Sequence, residues 1–271
     1  MRRLSALALL LLASASQAHY HMLIPDKPSA KKGEEVTVTC QFGHPFESEL
    51  SDMLPPQRVM LHSHGRRGID VTNKLEKVSL EGVKGRVDGY RLKFTPDQRG
   101  DYVIEMISAP TTLPGEKETI QDTVKVIVHV QAQKGWDGRS DEAFGCKPMT
   151  RPYGLLPGAV FQVAYTGRLK KGEKPLEPLF AYDLLVEVER YNPTPPKVLP
   201  ADEFITRTVK TDHYGVATTN LPEAGWWSLT ATRRNSEKVT FGGKEVEVKR
   251  RATLWVHVDK SAPIKPLSSE P

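Results

Sequence analysis

Short runs of alternating apolar and polar residues restrict this chain more than any other feature. Residues 123–130 read T-V-K-V-I-V-H-V, and similar runs recur at 35–42, 58–62, 90–94, 101–106, 159–165, 184–191, 204–211, 222–232 and 252–258. A period of two places successive side chains on opposite faces, which is the signature of a strand with one face against a core. No stretch keeps helical spacing for three turns. Between the runs lie turn-forming clusters such as Pro96-Asp97-Gln98-Arg99-Gly100 and Asp212-His213-Tyr214-Gly215. In these, proline fixes φ, aspartate caps its own turn and glycine takes positive φ. Many short strands with regular turn signals predict an all-β fold of sandwich type.

The punctuation divides the chain. Residues 19–134 are expected to form an N-terminal β-sandwich, immunoglobulin-like in its strand–P-D-x-x-G-D-Y–strand pattern. Residues 135–150 form a connection that is polar and rich in Gly, Asp and Lys. Residues 151–258 are expected to form a second β-sandwich, similar to transthyretin and carboxypeptidase-regulatory domains in its D-x-x-G and P-x-x-G-W-W blocks. Trp226 or Trp227 would roof its core. Trp136 is read as a plug at the interface or core edge. The loop Lys170–Pro175 and the tail 259–271 carry no strand pattern, and the tail is read as disordered.

The first residues have the three parts of a secretory leader. Arg2 and Arg3 supply the charge, Leu4–Leu12 the apolar run, and Ser16-Gln17-Ala18 the small residues of a cleavage site. A membrane span needs about 20 apolar residues, more than this run offers. The expectation is therefore a signal peptide over 1–18, cut after Ala18 or alternatively after Ala15, and export to the periplasm. The net charge of +5 is dispersed, so a pI near 9.1 gives little support to nucleic-acid binding. Cys40 and Cys146 fit no metal-ligand spacing. They read either as a disulfide, which an oxidising compartment permits, or as two buried thiols.

A cut after Ala18 would leave His19-Tyr20-His21 as the new terminus. Two chelate geometries are then open. The terminal amine, two backbone amides and the His21 imidazole would make a square plane suited to Cu(II) or Ni(II). Alternatively, His19 chelates through its amine and ring, and a distant histidine completes a brace. In G-H-P-F-E, Pro45 stiffens the loop that carries His44 and Glu47, which makes His44 the expected partner. The metal-site candidates are thus His19, His21, His44 and Glu47. His62 and His64, two apart near a strand end, could also share a face. No G-x-S-x-G, H-E-x-x-H or phosphate-binding loop is present, so an enzyme is not the expected reading.

H-Y-H-M-L-I-P after the leader, F-G-H-P-F-E, G-D-Y-V, Q-D-T-V-K-V-I-V-H-V-Q-A-Q-K-G-W-D, L-x-P-G-x-V-F-Q and A-G-W-W, in that order, resemble an exported nickel/cobalt-uptake component. That family accompanies energy-coupling-factor transporters, and many of its members are catalogued as a domain of unknown function. The resemblance implies a periplasmic two-domain β protein. It would capture Ni2+, with Co2+ or Cu2+ as alternatives, and present it to a membrane transporter. By position it points to His19, His21, His44 and Glu47. Two other readings stay open: a histidine-brace copper oxygenase, and a metal-free structural or adhesive module.

Overall fold

Alternation in the 119–130 run builds the centre of the molecule, because its two faces serve two different cores. The computed structural model describes residues 19–112, 118–138, 142–167, 179–180 and 182–262. The leader, the Lys170–Pro175 loop and the tail from residue 263 onward lie outside the described residues.

In chain order the strands are β1 (Tyr20–Pro25), β2 (Ser29–Ala30), β3 (Val36–His44), β4 (Glu49–Ser51), β5 (Arg58–Ser63), β6 (Ile69–Asp70) and β7 (Glu76–Gly82). They continue as β8 (Gly85–Phe94), β9 (Tyr102–Ile107), β10 (Thr111–Thr112), β11 (Thr119–Val130), β12 (Phe144–Pro148) and β13 (Ala159–Gly167). The last are β14 (Leu179–Phe180), β15 (Leu185–Arg190), β16 (Thr206–Lys210), β17 (Val216–Leu221), β18 (Gly225–Phe241) and β19 (Lys244–Val258). The described residues are thus nearly all β, as the alternation predicts.

These strands form three sheets. A five-stranded sheet has the order β1-β3-β8-β7 with β4 on β3; a four-stranded sheet joins β12, β13, β14 and β17. Between them runs a ten-stranded sheet with the path β16-β15-β18-β19-β11-β9-β5-β6, in which the short β2 and β10 also pair with β11. Its middle is the parallel pair β11–β19, in which Asp122 lies opposite Arg251. Strands from both halves of the sequence therefore share one hydrogen-bonded sheet.

Side-chain alternation then assigns the cores. Tyr102, Ile104, Met106, Val124, Val126, Val128 and Trp255 face the five-stranded sheet and pack with Met22, Val36, Val38, Cys40, Phe42 and Leu92. Val103, Ile127, Leu254 and Val256 face the other way and pack with Cys146, Phe161, Val163, Tyr165 and Val186. The adjacent tryptophans part company for the same reason: Trp226 enters the first core and Trp227 the second. The two cysteines are free, buried and in different cores, which realises the buried-thiol reading rather than the disulfide. Burial pushes both thiols up to about 12, so neither is a thiolate at neutral pH.

The turn chemistry appears as expected. Asp212 Oδ1 accepts from the Tyr214 and Val216 amides, both at 2.9 Å. The Tyr102 hydroxyl donates to Asp97 Oδ1 at 2.9 Å, which ties the Pro96–Gly100 turn to the strand that follows. Two details differ from the sequence reading. The segment 135–150 carries β12, which belongs to the four-stranded sheet, and Phe204 lies inside the four-residue helix Asp202–Ile205 rather than starting a strand. Trp136 packs at the edge of the second core, where it was expected.

Candidate metal centre and its supports

The first described residues are not a frayed end. β1 pairs antiparallel with β3 in the register Tyr20↔Gly43 and His21↔Phe42. On the other side, β3 pairs with β4 as His44↔Glu49 and Gly43↔Leu50. This register brings the His19 and His44 rings together, with centroids 4.1 Å apart. The Phe42 ring contacts both N-terminal histidines, 5.5 Å from the ring of His19, just before β1, and 4.5 Å from that of His21 within it. His19, His21 and His44 are all buried.

Gly43 makes this approach feasible. Its φ is +145°, and a Cβ there would sit 2.1 Å from the Glu49 carbonyl oxygen and 2.8 Å from Leu50 Cα, both backbone atoms. A Gly43→Ala substitution is expected to push β4 off β3 beside His44. The cost should be well over about 1 kcal/mol, since both the φ and the space exclude a side chain. Urea denaturation of the variant checks this.

His44 has the chemistry of a ligand. Burial lowers its pKa, with a smaller opposing effect from Glu49, so the ring stays neutral at physiological pH. Its Nε2 is buried and has no hydrogen-bond partner. A buried polar atom left unpaired costs about 1–3 kcal/mol, so a neutral nitrogen of this kind is suited to a metal ion. Glu47 follows on the same loop. Burial and the nearby Glu49 and Asp202 carboxylates raise its pKa, while Lys84 and His19 pull it down. Its carboxylate is therefore near enough to His19 for their charges to interact.

His21 has a different task. Its Nδ1 lies 2.7 Å from Asp122 Oδ2 on β11. Asp122 also accepts two hydrogen bonds from Arg251 on β19, each of 2.7 Å. The Arg251 guanidinium lies 5.3 Å over the Tyr20 ring, whose hydroxyl donates to Glu187 Oε2 at 2.8 Å. The square-planar geometry does not fit this arrangement. A chelate running through the residue's own amide closes through Nδ1, which Asp122 already holds. It would also need the Tyr20 and His21 amides of a paired strand. The brace-like alternative, His19 with His44, matches what the fold brings together. Among the described residues, no group of three His, Cys, Asp or Glu side chains is preassembled around one point.

The loop carrying His44 and Glu47 is anchored on the C-terminal half. The Phe46 amide donates to Glu189 Oε1 at 3.1 Å, the Asn192 amide to the Pro45 carbonyl at 3.0 Å, and Asn192 Nδ2 to the Phe46 carbonyl at 2.6 Å. Asp122, Arg251, Glu187, Glu189 and Asn192 were not visible as site residues in the sequence. Each sits on an ordinary-looking strand or just after one, a hundred or more positions away.

A family profile matches residues 16–235, which is most of the chain, under the description "domain of unknown function (DUF4198)". The chain belongs to the DUF4198 family. The match begins before His19 and includes the G-H-P-F-E loop, so the whole histidine cluster of this DUF4198 protein lies inside the family's common region. No curated protein matches the sequence. Among solved structures, the α2-macroglobulin of Salmonella reacted with methylamine is similar at 13% identity, covering 88% of this chain and 15% of that one, with a TM-score of 0.22. Trypsin-activated α2-macroglobulin of Escherichia coli gives 11% identity, 89% and 16% coverage and a TM-score of 0.22. The adhesin InvE of Yersinia pseudotuberculosis gives 14% identity, 86% and 58% coverage and a TM-score of 0.20. The chain spans 15–16% of the length of those two macroglobulin chains, and likenesses at this level carry no functional argument.

Proposed function

We propose that this DUF4198 protein is an exported carrier that binds Ni2+ or Co2+ in the periplasm and delivers it to a membrane transporter of the energy-coupling-factor type. The observation that supports the reading is the His19–His44 pair, in which a buried, neutral imidazole with an unpartnered Nε2 lies against a second imidazole. After cleavage at Ala18, the His19 amine adds a third nitrogen, and Glu47 offers an oxygen from the neighbouring loop. A cargo ion must also be released, which suits a set of three or four donors better than a closed square plane. His21 serves as a strut that fixes β1 on the central sheet.

Calorimetric or chelator-competition titration of the protein beginning at His19 tests this. Binding of about one Ni2+ per chain is expected, weakening as pH falls and imidazoles and amine take up protons. His44→Ala and His19→Ala should each weaken it at least as much as the roughly 10–100-fold that outer-shell changes cost at metal sites. No heat with Ni2+, Co2+ or Cu2+ would instead favour a metal-free structural module.

The same pair also permits a second reading, a copper oxygenase that uses a histidine brace. Copper- and ascorbate-dependent oxidation of a substrate would favour it. Tight Ni2+ binding without turnover favours the carrier.

A further inference from the structure

On the opposite face of the central sheet from the histidine pair, a cleft of about 260 Å3 opens between β5, β9, β11 and the loop 135–138. Strand register sets its floor. Lys125 lies opposite Glu105, and Met60 opposite Glu105 on the other side; His62 lies opposite Val103 in the next row. Gly135, at φ +107°, lets the loop approach His64 closely, because a Cβ there would meet His64 Cβ at 3.1 Å. Asp137 completes the wall.

The floor contains a carboxylate oxygen that has an ion-pair partner but no hydrogen-bond donor from the protein. Glu105 is 5% exposed and Lys125 is 2% exposed. Lys125 Nζ donates to the Cys146 carbonyl at 2.8 Å and stands 3.4 Å from Glu105 Oε2. Yet Glu105 Oε2 is buried without a hydrogen-bond partner. Asp101, by contrast, is satisfied: it accepts from the Tyr153 hydroxyl at 3.1 Å and pairs with His129 Nδ1 at 2.7 Å. The unmet need in the cleft is thus a donor for Glu105, beside an ammonium that can also be accepted from.

Charge narrows what can supply it. A cationic amine would be brought beside Lys125, and like charges repel strongly where water is excluded. An anion would meet Glu105 and Asp137. A neutral group that both donates and accepts through one atom fits the gap, and a hydroxyl does this. The volume lies slightly below the roughly 300–1,000 Å3 of sites for drug-sized ligands, which leaves room for one small ring. We propose that this cleft binds a hydroxyl-rich molecule of monosaccharide size, with one hydroxyl donating to Glu105 Oε2 and accepting from Lys125 Nζ. His62, His64 and Asp137 hydrogen-bond the remaining hydroxyls at the mouth. The proposal stands apart from metal binding, since it uses none of the same residues.

The test is amide-shift titration of the full exported chain with D-glucose, D-galactose, D-mannose and N-acetylglucosamine, each to about 50 mM, a range suited to the millimolar affinities of small ligands. Acetate and ethylammonium serve as charged controls. Saturable shifts confined to residues 62–65 and 135–138 are expected with at least one sugar, and not with the controls. Glu105→Gln should weaken that binding at least about tenfold, by replacing the acceptor with an amide. His62→Ala, at the half-buried rim and outside both cores, should weaken it too, and it keeps the test valid if the buried substitution fails to fold. Absence of shifts with every sugar would mean that water alone meets Glu105 and would overturn the proposal. So would shifts that both variants leave unchanged, or that the charged controls reproduce.

Discussion

Replacing Asp122 by alanine is expected to destabilise the protein by about 3–5 kcal/mol, the cost of breaking a buried ion pair on one side only. Asp122 is fully buried and bonds Arg251 through both oxygens, while Arg251 is 5% exposed. Removing the carboxylate leaves a buried guanidinium without its hydrogen-bonded counter-charge, with only the more distant Glu187 carboxylate still acting on it. It also releases the His21 ring, which is one of the ties between β1 and the central sheet. A variant that neutralises both partners, Asp122→Ala with Arg251→Met, should lose less than the single change, because the stranded charge is then gone. Acid should mimic the single variant. Burial pushes the Asp122 carboxyl up, but the charge and hydrogen bonds of Arg251, helped by His21, outweigh this and hold it well below the ordinary carboxylate range. A carboxyl depressed in the folded state contributes stability that is present above its unfolded pKa and is lost as pH falls through the folded value. Denaturant midpoints of the parent should therefore drop below about pH 4, the ordinary carboxyl range, and those of Asp122→Ala should not show this loss.

Glu189→Gln is expected to act in the opposite sense and at the other end of the pH scale. Glu189 is buried, and although it accepts from the Phe46 amide and the Thr206 hydroxyl, burial and the nearby Glu187 and Glu47 charges push its pKa up to about 7. The folded protein thus holds a proton there that the unfolded chain releases above its ordinary pKa. Stability from this group is full below that value and is lost as pH rises through 7, by about 3 kcal/mol in total. Glutamine keeps the shape, accepts from Phe46 and carries no charge. The variant should match the parent near pH 5 and exceed it by up to about 3 kcal/mol near pH 8. Urea titrations at the two pH values decide this. A parent equally stable at both would show that Glu189 is not proton-bound in the fold. The loop that Glu189 anchors carries His44, so hydrogen exchange at the Phe46 amide should quicken in the parent above neutral pH.

What the sequence disclosed follows from how local each signal is. Alternation and turn residues are written in consecutive positions, so β3, β5, β9, β13, β15 and the Asp212 turn could be read directly with ends shifted by a residue or two, and β11 with its start four residues late. The nearness of His44 to the His19 region could also be anticipated, because few residues carry imidazoles and the Gly43–Pro45 context marks a fixed loop. The parallel pairing of β11 with β19 could not. It joins residues about 130 positions apart, and neither strand carries a mark of its partner. Asp122 and Arg251 were hidden for the same reason: each reads as a polar residue on an alternating strand until the register sets them side by side. β1 was obscured by the interest of its histidines, since a chelating terminus and a paired edge strand make different demands on the same amides. Phe204 misled because an apolar residue near a strand start says little about the preceding turn, where Asp202 and Glu203 favour a helix N-terminus.

The seam between β11 and β19 has a consequence for anyone who would divide this molecule. A fragment stopping near residue 134 would keep β11 but lose the strand that closes one of its sides, and a fragment starting near residue 151 would keep β19 with the same wound. Each piece would offer a long, apolar, unsatisfied margin to any chain nearby, which invites aggregation. The unit that can be inherited, transplanted or truncated is therefore the pair of halves together, whatever the linker between them looks like on paper.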